Sequence, residues 1–280
     1  MRKTQSTDSP QQLNLTEIVR TRVGGWKGKL IPGFLLHRLE KLIRQEELNE
    51  ILRVTHPSTG WKFSKKVLDH LQISLTVKGL ENLPEDTPFI FASNHPLGGL
   101  DGISLVAVLG EKYGDSKIGV MVNDLLMNVK PLSKVFLPVN KFGSQGRESS
   151  RLLNEALQGG KHIVMFPAGL CSRLGDDGTI KDLEWQKSFV SKAIEHNRPI
   201  VPIKFEGENS RKFYKVARRR KKLGLKVNIE QALLPSEVCK SRGKSFTIKF
   251  GKPIYPSQLK ELGANPKAIA AKVREMVVEA

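Results

Sequence analysis

From about residue 72 onward, short β-rich runs alternate with stretches of helical periodicity, and few chains with that alternation have more than one way to fold. Seven runs read as strands: QISLTVK, PFIFAS, KIGVMVN, VFLPV, HIVMFP, PIVPIKF and SFTIKF. Helical patterns lie among them near 102–113, 147–158, 185–196 and 208–222. Such a series buries its apolar faces by packing helices on a mixed, mostly parallel sheet, so an α/β domain is expected over residues 72–280. Its last element carries agreeing signals, with Asn265 as N-cap, Pro266 at the first helical position, and Ile269, Val273, Met276 and Val277 on one face. At 280 residues the chain is long enough for a sizeable core, and it shows no internal repeat.

Ahead of this domain, residues 13–71 read as helical, with breaks at Pro32-Gly33 and His56–Gly60. Leu35, Leu39, Leu42 and Ile43 form a stripe at i, i+4, i+7 and i+8, while Arg38, Lys41 and Arg44 flank or oppose it. This amphipathic, basic segment suits packing on the main domain and binding to a membrane surface equally well. The first twelve residues lack the apolar core of a secretory signal and are expected to be disordered. Uninterrupted apolar runs are far shorter than the roughly 18 residues that cross a bilayer, so a membrane contact would be peripheral.

Charge says more about partners than about fold. Against 28 Asp and Glu stand 46 Lys and Arg, a net +18, which suits nucleic acid, an anionic membrane surface or an acidic carrier protein. Nine of the sixteen residues in RKFYKVARRRKKLGLK, Arg211 to Lys226, are basic. Composition does not separate lipid from nucleic acid there, and a basic nucleic-acid-binding protein is the rival class, although no nucleic-acid motif is present. The two cysteines, Cys171 and Cys239, imply no disulfide framework and suit a reducing cytosol. His37, His56, His70, His162 and His196 show no metal-ligand spacing, and no metal is expected.

The chemistry gathers in ASNHPLGGLDG, Ala92 to Gly102, directly after the PFIFAS strand. His95 should emerge at the carboxyl end of that strand, where α/β proteins place their ligands. Asp101 should sit at or near the N-cap of the next helix. A carboxylate returning across a Gly-Gly turn can hold the imidazole Nδ1–H and leave Nε2 to accept a proton. The same residues also make an ordinary capped turn.

Three further segments give the pair a context. VFLPVNK (Val135 to Lys141), FPAGLCS (Phe166 to Ser172) and PIVPI (Pro199 to Ile203) follow NHPLGGLD in the order of four sequence blocks. Together they resemble the lysophosphatidic-acid-type glycerolipid acyltransferase superfamily, whose signatures are NHxxxxD and FPEGTRS, over roughly residues 70–255. The resemblance implies acyl transfer from acyl carrier protein or coenzyme A to a lipid hydroxyl, without a cofactor or an acyl-enzyme. It makes His95 the general base and Asp101 its partner, with Asn94, Lys141, Gly169, Arg173 and Lys187 as substrate-binding candidates. A nucleophilic role for Cys171 is not required, and Cys239 reads as structural.

The chain departs from that pattern in two places. Five residues rather than four separate His95 from Asp101, and the adjacent glycines Gly98 and Gly99 can absorb the extra one. Ala168 and Cys171 stand where the family has glutamate and arginine, residues that help hold an acceptor's glycerol phosphate. The combination looks closest to the hemolysin-like branch, associated with amino-acid-containing lipids of the ornithine and glycine type. An N-(3-hydroxyacyl) amino-acid lipid is therefore the expected acceptor, with lysophosphatidate as the alternative. The resemblance places the protein peripherally on the inner face of the cell membrane.

Overall fold

The computed structural model describes residues 9–24, 30–139, 143–225 and 228–279. Four helices lead the chain: α1 (Leu15–Val23), α2 (Gly33–Ile43), α3 (Gln45–Thr55) and α4 (Gly60–His70). Strand β1 (Ser74–Lys78) and strand β2 (Ile90–Ser93) follow, then α5 (Gly99–Tyr113), β3 (Ile118–Asn123), β4 (Phe136–Val139), α6 (Gly143–Gln158) and β5 (His162–Met165). A hairpin of β6 (Arg173–Leu174) and β7 (Ile180–Lys181) precedes α7 (Ser188–Glu195), β8 (Ile200–Glu206) and α8 (Arg211–Lys222). The chain closes with α9 (Leu234–Lys240), β9 (Ser245–Phe250), α10 (Pro256–Leu262) and α11 (Pro266–Glu279).

The main sheet has seven strands in the order β1-β9-β8-β2-β5-β3-β4, parallel at every pairing except β8 with β9. All seven expected runs are strands of this sheet. Strand β2 lies between β5 and β8, in register Ile90↔Ile163 and Ile90↔Ile200, and every one of its residues is buried. Its alternation explains why. Phe89 and Phe91 enter one layer with Phe63, Leu105, Phe205 and Ile248, while Ile90 and Ala92 enter the other with Trp185, Phe189, Leu259 and Val273. A strand covered on both faces has a fixed end, which suits it to hold a reactive side chain.

Helix α11 starts as its sequence indicates, with the Asn265 Oδ1 accepting from the Lys267 and Ala268 amides at 3.0 Å. The amino-terminal helices break at Pro32-Gly33 and His56–Gly60, and once more at Arg44, whose φ of 58° ends α2 and begins α3. In α2 the inward side is Leu36, Leu42 and Ile43, with Leu39 half-buried, so of the stripe read from the sequence only Leu35 faces solvent. Leu35 is 48% exposed and Phe34 67% exposed, so α2 packs on the domain and still presents an apolar edge to solvent. Of the tail expected to be disordered, residues 1–8 lie outside the described residues. Gln11 is pinned at the surface, its Nε2 donating to Asn128 O at 2.5 Å and its Oε1 accepting from the Lys130 amide at 2.9 Å. The hairpin β6–β7 was not apparent from periodicity, because two-residue strands carry none.

Candidate active site

The carboxyl end of β2 is tied to its neighbour before the reactive residues begin. Asn94 grips the backbone of Phe205 in β8 from both sides, its Nδ2 donating to the carbonyl at 2.9 Å and its Oδ1 accepting from the amide at 2.6 Å. Those two bonds use both ends of the carboxamide, so Asn94 acts on the turn rather than on a bound molecule. Next comes His95, with 17% of its side chain exposed and its ring against Phe166 of the FPAG segment, centroids 4.1 Å apart.

Pro96, Leu97 and Gly98 then reverse the chain. Gly98 has φ 77° and ψ −116°, a conformation open only to glycine, and a Cβ there would lie 3.0 Å from Cys171 Sγ and 2.9 Å from Leu234. Gly99 has no such demand and is the first residue of α5. One glycine of the pair, not both, therefore absorbs the extra residue.

Asp101 is the third residue of α5, near the N-cap as expected, and is completely buried. From there its carboxylate collects the amides of Leu97 at 2.9 Å and Gly98 at 3.0 Å, and meets His95 Nδ1 at 2.9 Å. The ring contact is an ion-pair contact lying off the line of a straight hydrogen bond. The positive end of α5 favours a charge at this place.

The two pKa values are pulled in concert. Burial disfavours charge on the imidazole, but the Cys171 sulfur and the Asp101 carboxylate outweigh it and hold His95 well above the ordinary histidine value. Burial pushes Asp101 upward against the pull of His95 and of the two amides. The ring is therefore a stronger base than a free histidine.

The FPAGLCS segment forms the opposite wall. Ala168 and Cys171 are both buried, Ala168 beneath the sheet layer with Ile90 and Trp185, and Cys171 beside Phe213, Tyr214 and Leu233. Neither position carries the carboxylate or guanidinium of the FPEGTRS signature. Gly169, with φ 68°, is exposed at the tip of a turn closed by its amide on Phe166 O at 2.9 Å.

Arg173 is committed elsewhere. Its guanidinium donates to Glu230 at 2.8 Å, and that fully buried carboxylate also lies 2.9 Å from Arg220 Nε. The ion pair fixes the turn Ile229–Leu233 against β6 and α8, so Arg173 supports the wall instead of offering a free cation. Lys187 is exposed at the N-cap of α7. Lys141 lies outside the described residues.

One residue that the sequence reading passed over stands at the centre. Asp182 Oδ1 accepts from the His95 amide at 3.1 Å and from Ser172 Oγ at 2.6 Å, while its Oδ2 accepts from Trp185 Nε1 at 2.9 Å. The available sequence signal was the spacing Asp182-x-x-Trp185 directly after the turn-forming Asp176-Asp177-Gly178. Among the described residues no group of three His, Cys, Asp or Glu side chains is placed to hold a metal ion.

The chain is similar to known proteins over most of its length. Residues 24–277 match the acyltransferase family. The chain is 42% identical over 270 residues, 96% of its length and 95% of the relative's, to a lyso-glycine lipid O-acyltransferase of Phocaeicola vulgatus. It is 40% identical, over 96% of its length and 98% of the relative's, to a lyso-glycine lipid O-acyltransferase of Bacteroides thetaiotaomicron. The crystal structure of the 1-acyl-sn-glycerophosphate acyltransferase of Thermotoga maritima shares the fold, with a TM-score of 0.51 at 19% identity over 95% of this chain and 91% of that one.

Proposed function

The chain belongs to the acyltransferase family, and on that footing we propose that it esterifies the free hydroxyl of an N-(3-hydroxyacyl) amino-acid lipid of the glycine type, using a fatty acyl thioester of acyl carrier protein or coenzyme A. The observation that carries the chemistry is the 2.9 Å contact between His95 and the buried Asp101. The acceptor class rests on the relatives' names together with the buried Ala168 and Cys171, which stand where the family signature has glutamate and arginine.

In this reading His95 Nε2 takes the proton of the acceptor hydroxyl as the oxygen attacks the thioester carbonyl. Asp101 holds Nδ1 and stabilises the imidazolium that results. The new C–O bond forms, the C–S bond breaks, and the departing thiolate recovers the proton from His95. Base assistance of this kind is worth ~10²–10⁴ in rate. Positioning of the two substrates and stabilisation of the oxyanion supply the remainder.

A direct competition tests the acceptor. Purified protein given an acyl thioester and equal amounts of lyso-glycine lipid and lysophosphatidate is expected to yield diacylated glycine lipid at least tenfold in excess. Preferential formation of phosphatidate would replace the acceptor while leaving the enzyme class intact.

The substrate's home suggests where the protein works. No helix among the described residues is long and apolar enough to cross a membrane, yet one face combines exposed apolar side chains with bare cations. Leu30 just before α2 and Phe34 in its first turn are each 67% exposed, and α2 packs on the turn Ile229–Leu233. That turn packs in turn on α8, beyond whose end Leu223 is 73% exposed. Among the described residues of α8, only Arg218 and Arg220 have ion-pair partners. Each unpaired cation near an anionic surface contributes about 1 kcal/mol.

We place this face on the inner leaflet of the cell membrane. The protein should sediment with vesicles containing anionic phosphatidylglycerol and be released as salt rises from 0.1 to 0.5 M. The double variant Phe34→Ser/Leu223→Ser should bind about tenfold more weakly. Equal binding to neutral vesicles would remove the electrostatic part of this assignment.

A further inference from the structure

We propose that Asp182, carried back by the β6–β7 hairpin, is a positioning residue for His95; the proposal rests on His95 being the base. The hairpin pairs Arg173 with Lys181, and the residues immediately outside that pair are Ser172 and Asp182. Both close on the His95 backbone. The Ser172 amide donates to the His95 carbonyl at 2.8 Å, the His95 amide donates to Asp182 Oδ1 at 3.1 Å, and Ser172 Oγ joins the same oxygen at 2.6 Å. The base is thus held at both of its main-chain polar groups by one small unit.

Asp182 is 7% exposed, and its carboxylate meets three donors, all of them uncharged. Arg274 reaches only its backbone carbonyl, at 2.5 Å. A buried carboxylate among neutral donors is costly unless every acceptor site is used. Here each oxygen has a donor facing it, and the Ser172 hydroxyl bond, at 2.6 Å, has the length of a charge-assisted one.

Asp101 and Asp182 therefore divide the task. Asp101 meets the ring and sets its protonation, whereas Asp182 fixes where the ring's own Cα stands. A shift of ~1 Å in a reacting group can lower a rate by about 100-fold.

The side-chain chemistry supplies a test with its own rescue. An asparagine at 182 has one acceptor and one donor end, so it cannot face His95 and Ser172 with oxygen without turning its NH₂ toward the Trp185 indole N–H. Asp182→Asn should lower kcat by 30- to 100-fold with KM within about threefold of wild type. Adding Trp185→Phe removes the opposing donor, and the double variant should recover kcat to within about fivefold.

Should Asp182→Asn alone fail to fold, the comparison moves into the Trp185→Phe background. There Asp182→Asn should exceed Asp182→Ala in kcat by at least 20-fold, because only asparagine offers an acceptor to the His95 amide. The acid limb of the pH profile should stay in place for these variants, since Asp182 acts on position and not on ring charge.

Equal kcat for asparagine and alanine in that background, or wild-type kcat in Asp182→Asn, would overturn the proposal. Loss expressed wholly in KM would do the same. Failure of the His95 reading is separately visible: the His95→Ala protein would then be active, whatever the Asp182 variants do.

Discussion

His95→Ala should lower acyl transfer by at least ~10³-fold and leave the melting temperature within a few degrees of wild type. The rate falls because nothing else in the site can accept the hydroxyl proton. Among the described residues the other near groups are the Asp101 carboxylate held by two amides, the Asp182 carboxylate held by three donors, the buried Cys171 side chain, and a phenylalanine ring. The fold survives because Asp101 keeps the Leu97 and Gly98 amides. His95→Gln, which keeps a polar side chain against Phe166, should be as inactive. A His95→Ala protein of wild-type rate would remove the base from the mechanism.

Asp101→Asn should lower kcat/KM by ~10²–10⁴ without disturbing the helix start. An asparagine oxygen in the Oδ2 position can still accept from the Leu97 and Gly98 amides and face His95 Nδ1, but it carries no charge, so the imidazolium formed on proton transfer loses its counter-ion.

The same variant separates a charge role from a packing role through pH. Wild-type kcat/KM should fall tenfold per pH unit on the acid side of the His95 pKa, because a protonated ring accepts no further proton. That limb should lie above ~6.5, the ordinary histidine value, since Cys171 and Asp101 raise it against burial. With the Asp101 charge removed the limb should move to lower pH. An unmoved limb would mean that Asp101 serves only to start α5.

The parts of this account that the sequence disclosed are the local ones. Strand β2 was visible because FIFA is apolar on both faces, and the start of α11 because Asn265 and Pro266 are adjacent to it. His95 and Asp101 were visible as a pair because six positions of chain and a glycine turn join them. The invisible parts are contacts between distant segments. Asp182 lies 87 residues from His95, Phe205 lies 111 from Asn94, and Glu230 lies 57 from Arg173.

Each of these distant partners altered the role of a residue that the sequence had marked. Asn94 ties two strands together, Arg173 joins a buried ion pair, and the short strands β6 and β7 form a clamp that no periodicity announces. Asp101 lies near the cap as its sequence indicates, at the third helical position, because Gly98, with its positive φ, takes the cap itself.

Direct transfer between two bound substrates is the claim on which the rest stands, and intact-protein mass spectrometry tests it most simply. The enzyme is mixed with an acyl thioester in the absence of acceptor, quenched within one turnover, and weighed. The expected result is the unmodified protein mass, with free thiol appearing only after lyso-glycine lipid is added. A protein heavier by one acyl group, mapped to Cys171 and discharged by the acceptor, would contradict it.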